Sequence, residues 1–270
     1  MAEKSVKTSS DSPTIHGIVV RSHIESGSIV AISLPKQDNR FFLLGPNDVT
    51  GSNMIEAYTE EFPLFASSEV SYKGQPIVAI FGPDAETVEV KSREIEIDFQ
   101  LTAEVQPFHP KNEHSPIHYR WGDLEESFTK SESICEKTYT DRRVWTREDT
   151  VTHVTTWIDD GILKVQAPTQ WPFHIRDTVA SVCGKPKKNV VVYPVAHFSP
   201  KDEKILQPSI LAAIAALGTL KSNQRVTISS RFPTYRSPVT IVRKTALDSQ
   251  GKPIAEQVDA LVDQGAFPLF

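Results

Sequence analysis

The sequence predicts an α+β fold in two parts, and three observations predict it. Short strand candidates crowd the first hundred residues, a proline-interrupted stretch without apolar period follows, and from Val151 strands alternate with helices. At 270 residues, 39% hydrophobic and 23% charged, the chain has the composition of a globular protein long enough for two ordinary domains.

Residues 1–12 are polar and aperiodic and read as a flexible tail. Strand candidates then follow at Ile15–Val20, Ile29–Leu34, Phe41–Leu44, Ile77–Phe81 and Glu94–Phe99, the last alternating through Ile95, Ile97 and Phe99. Gly45-Pro46-Asn47-Asp48 and Tyr72-Lys73-Gly74-Gln75-Pro76 have loop chemistry, and Asp84–Glu89 has room for a short helix. These pieces make a small α+β domain over 13–100. Residues 101–145 carry Pro107, Pro110 and Pro116 among scattered charges and read as an extended connector.

The second domain, 146–270, begins with strands at Val151–Trp157 and Ile162–Gln166 around an Asp159-Asp160-Gly161 turn. A helix over Phe173–Val182, a strand at Val190–Tyr193 and an apolar helix from Pro208 to Leu220 come next. The pattern closes with strands at Val226–Ser230, Thr240–Leu247 and Ile254–Val262, the last two joined by a turn at Asp248–Lys252. The apolar ending, Ala266-Phe267-Pro268-Leu269-Phe270, carries the expectation that the chain continues or is covered.

Charge and cysteine content narrow the function classes. A net charge of -5 without a basic stripe argues against nucleic acid and against an anionic membrane surface as partners, and Lys185, Lys187 and Lys188 read as a solvated turn. No secretory signal and no apolar run of about 18 residues is present, so the expected location is cytoplasmic. Cys135 and Cys183 lie far apart, which argues against a disulfide framework, a zinc site and an iron–sulfur cluster and for two reduced thiols. His109, His114 and His118, five and four residues apart among prolines, share no fixed face and read as loop histidines, so no metal ligand is assigned.

The most informative stretch is Ala167–Asp177, where a strand ends, an amide follows and a helix begins. Gln170 donates and accepts hydrogen bonds at once, and Pro172 suits the first turn of a helix whose N-terminal amides favour an anion. That chemistry matches an anionic organic cofactor. By itself a glutamine at a strand end is also an ordinary loop-stabilising amide, and Trp171 and Phe173 read as packing residues.

At these residues the chain resembles the molybdenum-cofactor subunit of the xanthine dehydrogenase and aldehyde oxidase family. Gly17–Ser22, Ile29–Ile32, Asp48–Asn53, Pro63–Ala66 and Glu69–Ile77 are similar in order and spacing to the family's N-terminal α/β hammerhead domain. Asp160-Gly161, Thr169-Gln170-Trp171-Pro172, Asp202–Lys204, Leu211–Leu217 and Gly251-Lys252 resemble the first part of its mixed α/β molybdopterin-binding domain. The resemblance implies oxidative hydroxylation of a purine-like heterocycle or an aldehyde at a molybdenum cofactor shared with a partner chain. It also implies a glutamate base, with iron–sulfur and FAD groups on partner subunits only.

Residue by residue, the resemblance places Gln170 against the molybdopterin, and Phe198 and Ser199 at cofactor-facing positions. Asp202 and Arg236 fall on the substrate side, where a surface turn before Pro208 and an exposed arginine are the plain alternatives. Three departures matter. Val144–Val151 lacks the family's Gln-His and Glu-Pro signature; Ala196–Asp202 has no glycine where the family has a glycine-rich loop; and no residue matches the catalytic glutamate. No catalytic residue is therefore assigned. The chain reads as the N-terminal portion, split subunit or fragment, of a molybdenum hydroxylase that is inactive alone. The alternatives are a non-catalytic structural or assembly partner and a free-standing binding module for a purine-like or pterin-like ligand using Gln170 and Phe198.

Overall fold

A computed structural model describes residues 13–34, 38–58, 60–102, 117–142, 144–145, 151–195, 205–231 and 235–267, with the backbone alone at 144–145 and 235–236. In chain order the elements are β1 (Thr14–Arg21), β2 (Gly27–Ser33), β3 (Phe42–Leu44), β4 (Met54–Ala57), β5 (Glu60–Pro63), β6 (Glu69–Val70), β7 (Pro76–Gly82), α1 (Ala85–Ser92) and β8 (Glu96–Leu101). Then come α2 (Leu124–Thr129), β9 (Ser133–Asp141), β10 (Val144–Trp145), β11 (Thr152–Asp159), β12 (Ile162–Pro168) and α3 (Pro172–Val182). The remainder are β13 (Val190–Val195), α4 (Gln207–Ser222), β14 (Arg225–Ser230), β15 (Tyr235–Arg236), β16 (Val239–Leu247) and β17 (Pro253–Val262).

The chain forms two compact units, Met1–Val105 with Glu148–Phe232, and Gln106–Arg147 with Pro233–Phe270. The first is built on a seven-stranded sheet in the order β13-β12-β11-β14-β1-β7-β3. Its decisive join is non-local: β1 runs parallel to β14, with Ile15 opposite Val226, and antiparallel to β7. Sheet pairing thus joins strands of the first hundred residues to strands that follow Thr152.

Local chemistry explains the elements. Asp160 and Gly161 both adopt positive φ, 51° and 75°, in the two-residue β11–β12 turn, the backbone that lets such a turn follow strand twist. The carboxylate of Asp84 accepts the Thr87 amide at 2.9 Å and starts α1. α4 is buried from Pro208 to Thr219, and it lies close to the sheet because two glycines flank the Phe81 ring. A Cβ added at Gly17 would come 2.6 Å from that ring, and one at Gly218 would come 2.7 Å from it. A Thr156–Thr219 hydroxyl contact of 2.7 Å satisfies the polar atoms beneath α4. On the β1–β7 side, Val88 of α1, Val70, Ile29, Ile32, Ile97 and Phe99 join Ile18, Val20, Val78 and Ile80 in one apolar cluster.

In the second unit β16 runs between β9 and β17, antiparallel to both, and β10 pairs with β15. The extended connector expected over 101–145 therefore contains the six-residue α2, capped by Asp123 at 2.9 Å to the Glu126 amide, and the nine-residue β9. β9 is almost wholly exposed, so no period-2 apolar signal marks it; pairing with β16 makes it a strand.

The two cysteines sit in opposite settings. Cys183, at the C-terminus of α3, is buried, and burial pushes its thiol up to about 12, whereas Cys135 on β9 is exposed. A thiol reagent at about pH 8 is expected to modify one thiol per native chain and two after unfolding. Two rapid equivalents in the native protein would contradict this burial.

Candidate functional site

β12 and β13 are parallel, and α3 begins where β12 ends, so the Thr169–Trp171 turn sits at the carboxyl end of a parallel pair. Ligands of open α/β sheets bind at such ends. Gln170 is exposed there, between buried Thr169 and partly buried Trp171. The turn is held by the Thr169 hydroxyl, which accepts the Trp171 amide at 2.9 Å.

Two helices start side by side at this point. His174, in the first turn of α3, lies 2.7 Å through Nδ1 from the Ser209 hydroxyl in the first turn of α4. Neither helix has a side-chain cap or an acidic residue in its first turn, whereas α1 and α2 are each capped by aspartate. Each N-terminus carries roughly half a positive charge from its aligned peptides, so the pair favours an anion. The Gln207 side-chain oxygen, at the start of α4, is buried with no hydrogen-bond partner among the described residues. An amide acceptor in that state suits a ring N–H donor.

His174 is a residue that sequence reasoning passed over. Its Nε2 lies 2.7 Å from the Glu56 carbonyl oxygen on β4, and its ring stacks on Trp171 at 4.2 Å between centroids, with Tyr58 5.1 Å from Trp171. The only signal available was a polar residue one helical turn after Gln170 on what becomes the inner face of α3. Phe173, read as packing, is 68% exposed, with the Arg176 guanidinium 5.2 Å over its ring; Ile175 takes the buried position instead. Helix geometry explains the correction, because residues 174, 175, 178 and 179 face inward and 173 faces out. Arg176 and Lys187 both pair with Asp177 and hold its carboxyl below the usual range, so the solvent side of α3 is charge-satisfied.

Burial holds the His174 ring below the ordinary histidine range, opposed by its bond to the Glu56 carbonyl and by the charge of Asp177. The native state therefore favours the neutral ring. Its contribution to stability is complete above the unfolded value of about 6.5 and is lost as pH falls, because the unfolded chain takes up the proton first. His174→Gln is expected to flatten the fall in unfolding free energy below about pH 6.5, measured by denaturant titration; an unchanged profile would contradict it.

Of the other expected site residues, Phe198, Ser199 and Asp202 lie outside the described residues. Arg236 lies on β15, paired through its backbone with Val144 in the second unit, whereas Gln170 belongs to the first. His118 is exposed, and His109 and His114 lie outside the described residues. No helix among the described residues is long and apolar enough to cross a membrane.

The molybdopterin cofactor-binding domain family matches residues 106–270, more than half of the chain. The chain belongs to this family. Among curated relatives it is 28% identical over 94% of its length to a probable xanthine dehydrogenase subunit of Bacillus subtilis strain 168. It is 24% identical over 92% of its length to the nicotinate dehydrogenase large molybdopterin subunit of Eubacterium barkeri. The same fold occurs in the reconstituted CO dehydrogenase from Oligotropha carboxidovorans, with a TM-score of 0.75 at 17% identity over 92% of this chain. The mixed α+β architecture expected from the sequence is the one these proteins share. The chain spans 37% and 63% of the two curated relatives and 36% of the solved chain.

Proposed function

We propose that this chain supplies part of the molybdopterin-binding framework of a cytoplasmic molybdenum hydroxylase of the xanthine dehydrogenase type. The observation that carries the reading is the meeting of the Gln170 turn with two uncapped helix starts, tied at 2.7 Å through His174 and Ser209. An anionic phosphate suits the α3 and α4 N-termini, and a pterin ring suits the paired donor and acceptor of Gln170. The cofactor, when bound, supplies the redox chemistry, and the protein supplies binding and orientation.

In this role Gln170 holds an edge of the pterin. The resemblance assigns Phe198 and Ser199 to the cofactor as well, and Asp202 and Arg236 to a purine-like heterocycle or an aldehyde as substrate. The catalytic base and the remaining cofactor contacts come from a chain that completes the molybdopterin domain, and iron–sulfur and FAD subunits carry electrons away. Relatives named as subunits support the presence of partner subunits. The isolated 270-residue chain is accordingly expected to turn over neither a purine nor an aldehyde, and measurable turnover would overturn the division.

The test is the molybdenum and pterin content of the complex isolated from its native cells. Both are expected in stoichiometric amount with the wild-type chain. Their absence from a complete, folded complex would sink the assignment.

A further inference from the structure

His174 is pinned by three elements at once. The Glu56 carbonyl oxygen on β4 accepts only, so Nε2 carries the ring proton and donates it across 2.7 Å. Nδ1 of the neutral ring is then bare, and the Ser209 hydroxyl on α4 donates to it at 2.7 Å; Thr178 Oγ1 is more distant, at 3.5 Å. Both ring nitrogens are satisfied in a single tautomer, which fixes the plane of the imidazole. Trp171 lies on that plane at 4.2 Å and 22°.

Trp171 is the residue after Gln170, and its amide is already held by Thr169. The Ile175 amide donates to the Trp171 carbonyl at 3.2 Å, so backbone and indole are anchored together. A residue filling this volume for packing alone has no need of two polar partners, and an apolar side chain would leave the Ser209 hydroxyl without its acceptor. We infer that His174 is a positioning residue: through the Trp171 ring it sets the direction of the Gln170 turn toward the cofactor. This rests on the reading that Gln170 contacts molybdopterin, but the link from His174 to Trp171 is testable without it.

Two variants separate positioning from packing. His174→Gln retains an N–H for Glu56 and an oxygen for Ser209, whereas His174→Leu retains the volume and neither bond. Trp171 emission is isolated by subtracting the spectrum of the matching Trp171→Phe protein. In His174→Leu it is expected to shift to the red and become more accessible to iodide; in His174→Gln it stays at the wild-type position. If His174→Leu does not fold, Ser209→Ala removes only the donor to Nδ1 and is expected to shift Trp171 in the same direction. Folded protein with unchanged Trp171 emission overturns the inference.

The second readout is pterin retained per chain in the native complex during extended washing. His174→Leu is expected to weaken retention by about tenfold, the order of one lost hydrogen bond, and His174→Gln to restore it. Combined with Gln170→Ala, His174→Leu should add nothing, because both act through one contact. Additive losses mean that His174 does not act through Gln170 and overturn the positioning role. Should Gln170→Ala alone retain pterin as the wild type does, the cofactor assignment of Gln170 fails, while the Trp171 spectra still decide whether His174 orients the turn.

Discussion

Replacing Gly51 by alanine is expected to destabilise the first unit by about 3 kcal/mol, a cost typical of atoms forced into filled space. Gly51 is where the loop before β4 meets the C-terminus of α3. Its amide donates to the Val182 carbonyl at 2.8 Å, and the Ser52 amide donates to the Ser181 carbonyl at 3.1 Å. A Cβ at position 51 would stand 2.0 Å from the Ser181 oxygen and 2.6 Å from the Gly184 nitrogen. Both are backbone atoms, so no side-chain rotation relieves the overlap. Moving the α3 terminus instead strains the bond of 2.8 Å from the Lys185 amide to the Ala180 carbonyl. Gly45→Ala is the control, because its Cβ would meet Val78 at an ordinary 3.5 Å. Urea unfolding followed by circular dichroism should separate the two variants clearly. Equal, small effects at both positions would contradict the close approach at Gly51.

The second large effect concerns the cofactor and leaves the fold intact. Gln170 is exposed, so its replacement by alanine opens no buried cavity and is expected to cost no more than about 1 kcal/mol, the order of one exposed hydrogen bond. Molybdopterin retention in the complex should nevertheless weaken by about tenfold, the order of one hydrogen bond to a charged or ring donor. Gln170→Glu gives a sharper contrast in sign. A carboxylate at the start of α3, which has no acid in its first turn, should stabilise the helix by about 0.3–1 kcal/mol. The same charge repels an anionic cofactor, so retention should fall below that of Gln170→Ala. Unchanged pterin content in both variants would remove Gln170 from the site.

The turn that carries Gln170 was readable from sequence because its signal is local: a strand end, an amide and a proline that opens a helix. The Asp160-Gly161 turn and the buried α4 were readable for the same reason, since residues a few positions apart carry their pattern. The β4–β5 hairpin and β9 left no such mark. β9 has polar side chains on both faces, and what makes it a strand is its partner β16, about a hundred residues later. His174 escaped notice because its two partners, Glu56 and Ser209, lie 118 and 35 residues away. A buried, doubly bonded histidine and an exposed one look alike in a sequence until the neighbours are known.

The sequence by itself determined the α+β class, the turn that carries Gln170 and the resemblance to molybdenum-cofactor subunits, because each rests on short-range pattern. Only the tertiary structure decided that β1 pairs with β14, that Phe173 faces solvent, and that α3 and α4 start together across a histidine. Those features depend on which distant segments meet, and that is decided by the burial of apolar faces and the satisfaction of buried hydrogen bonds over the whole chain.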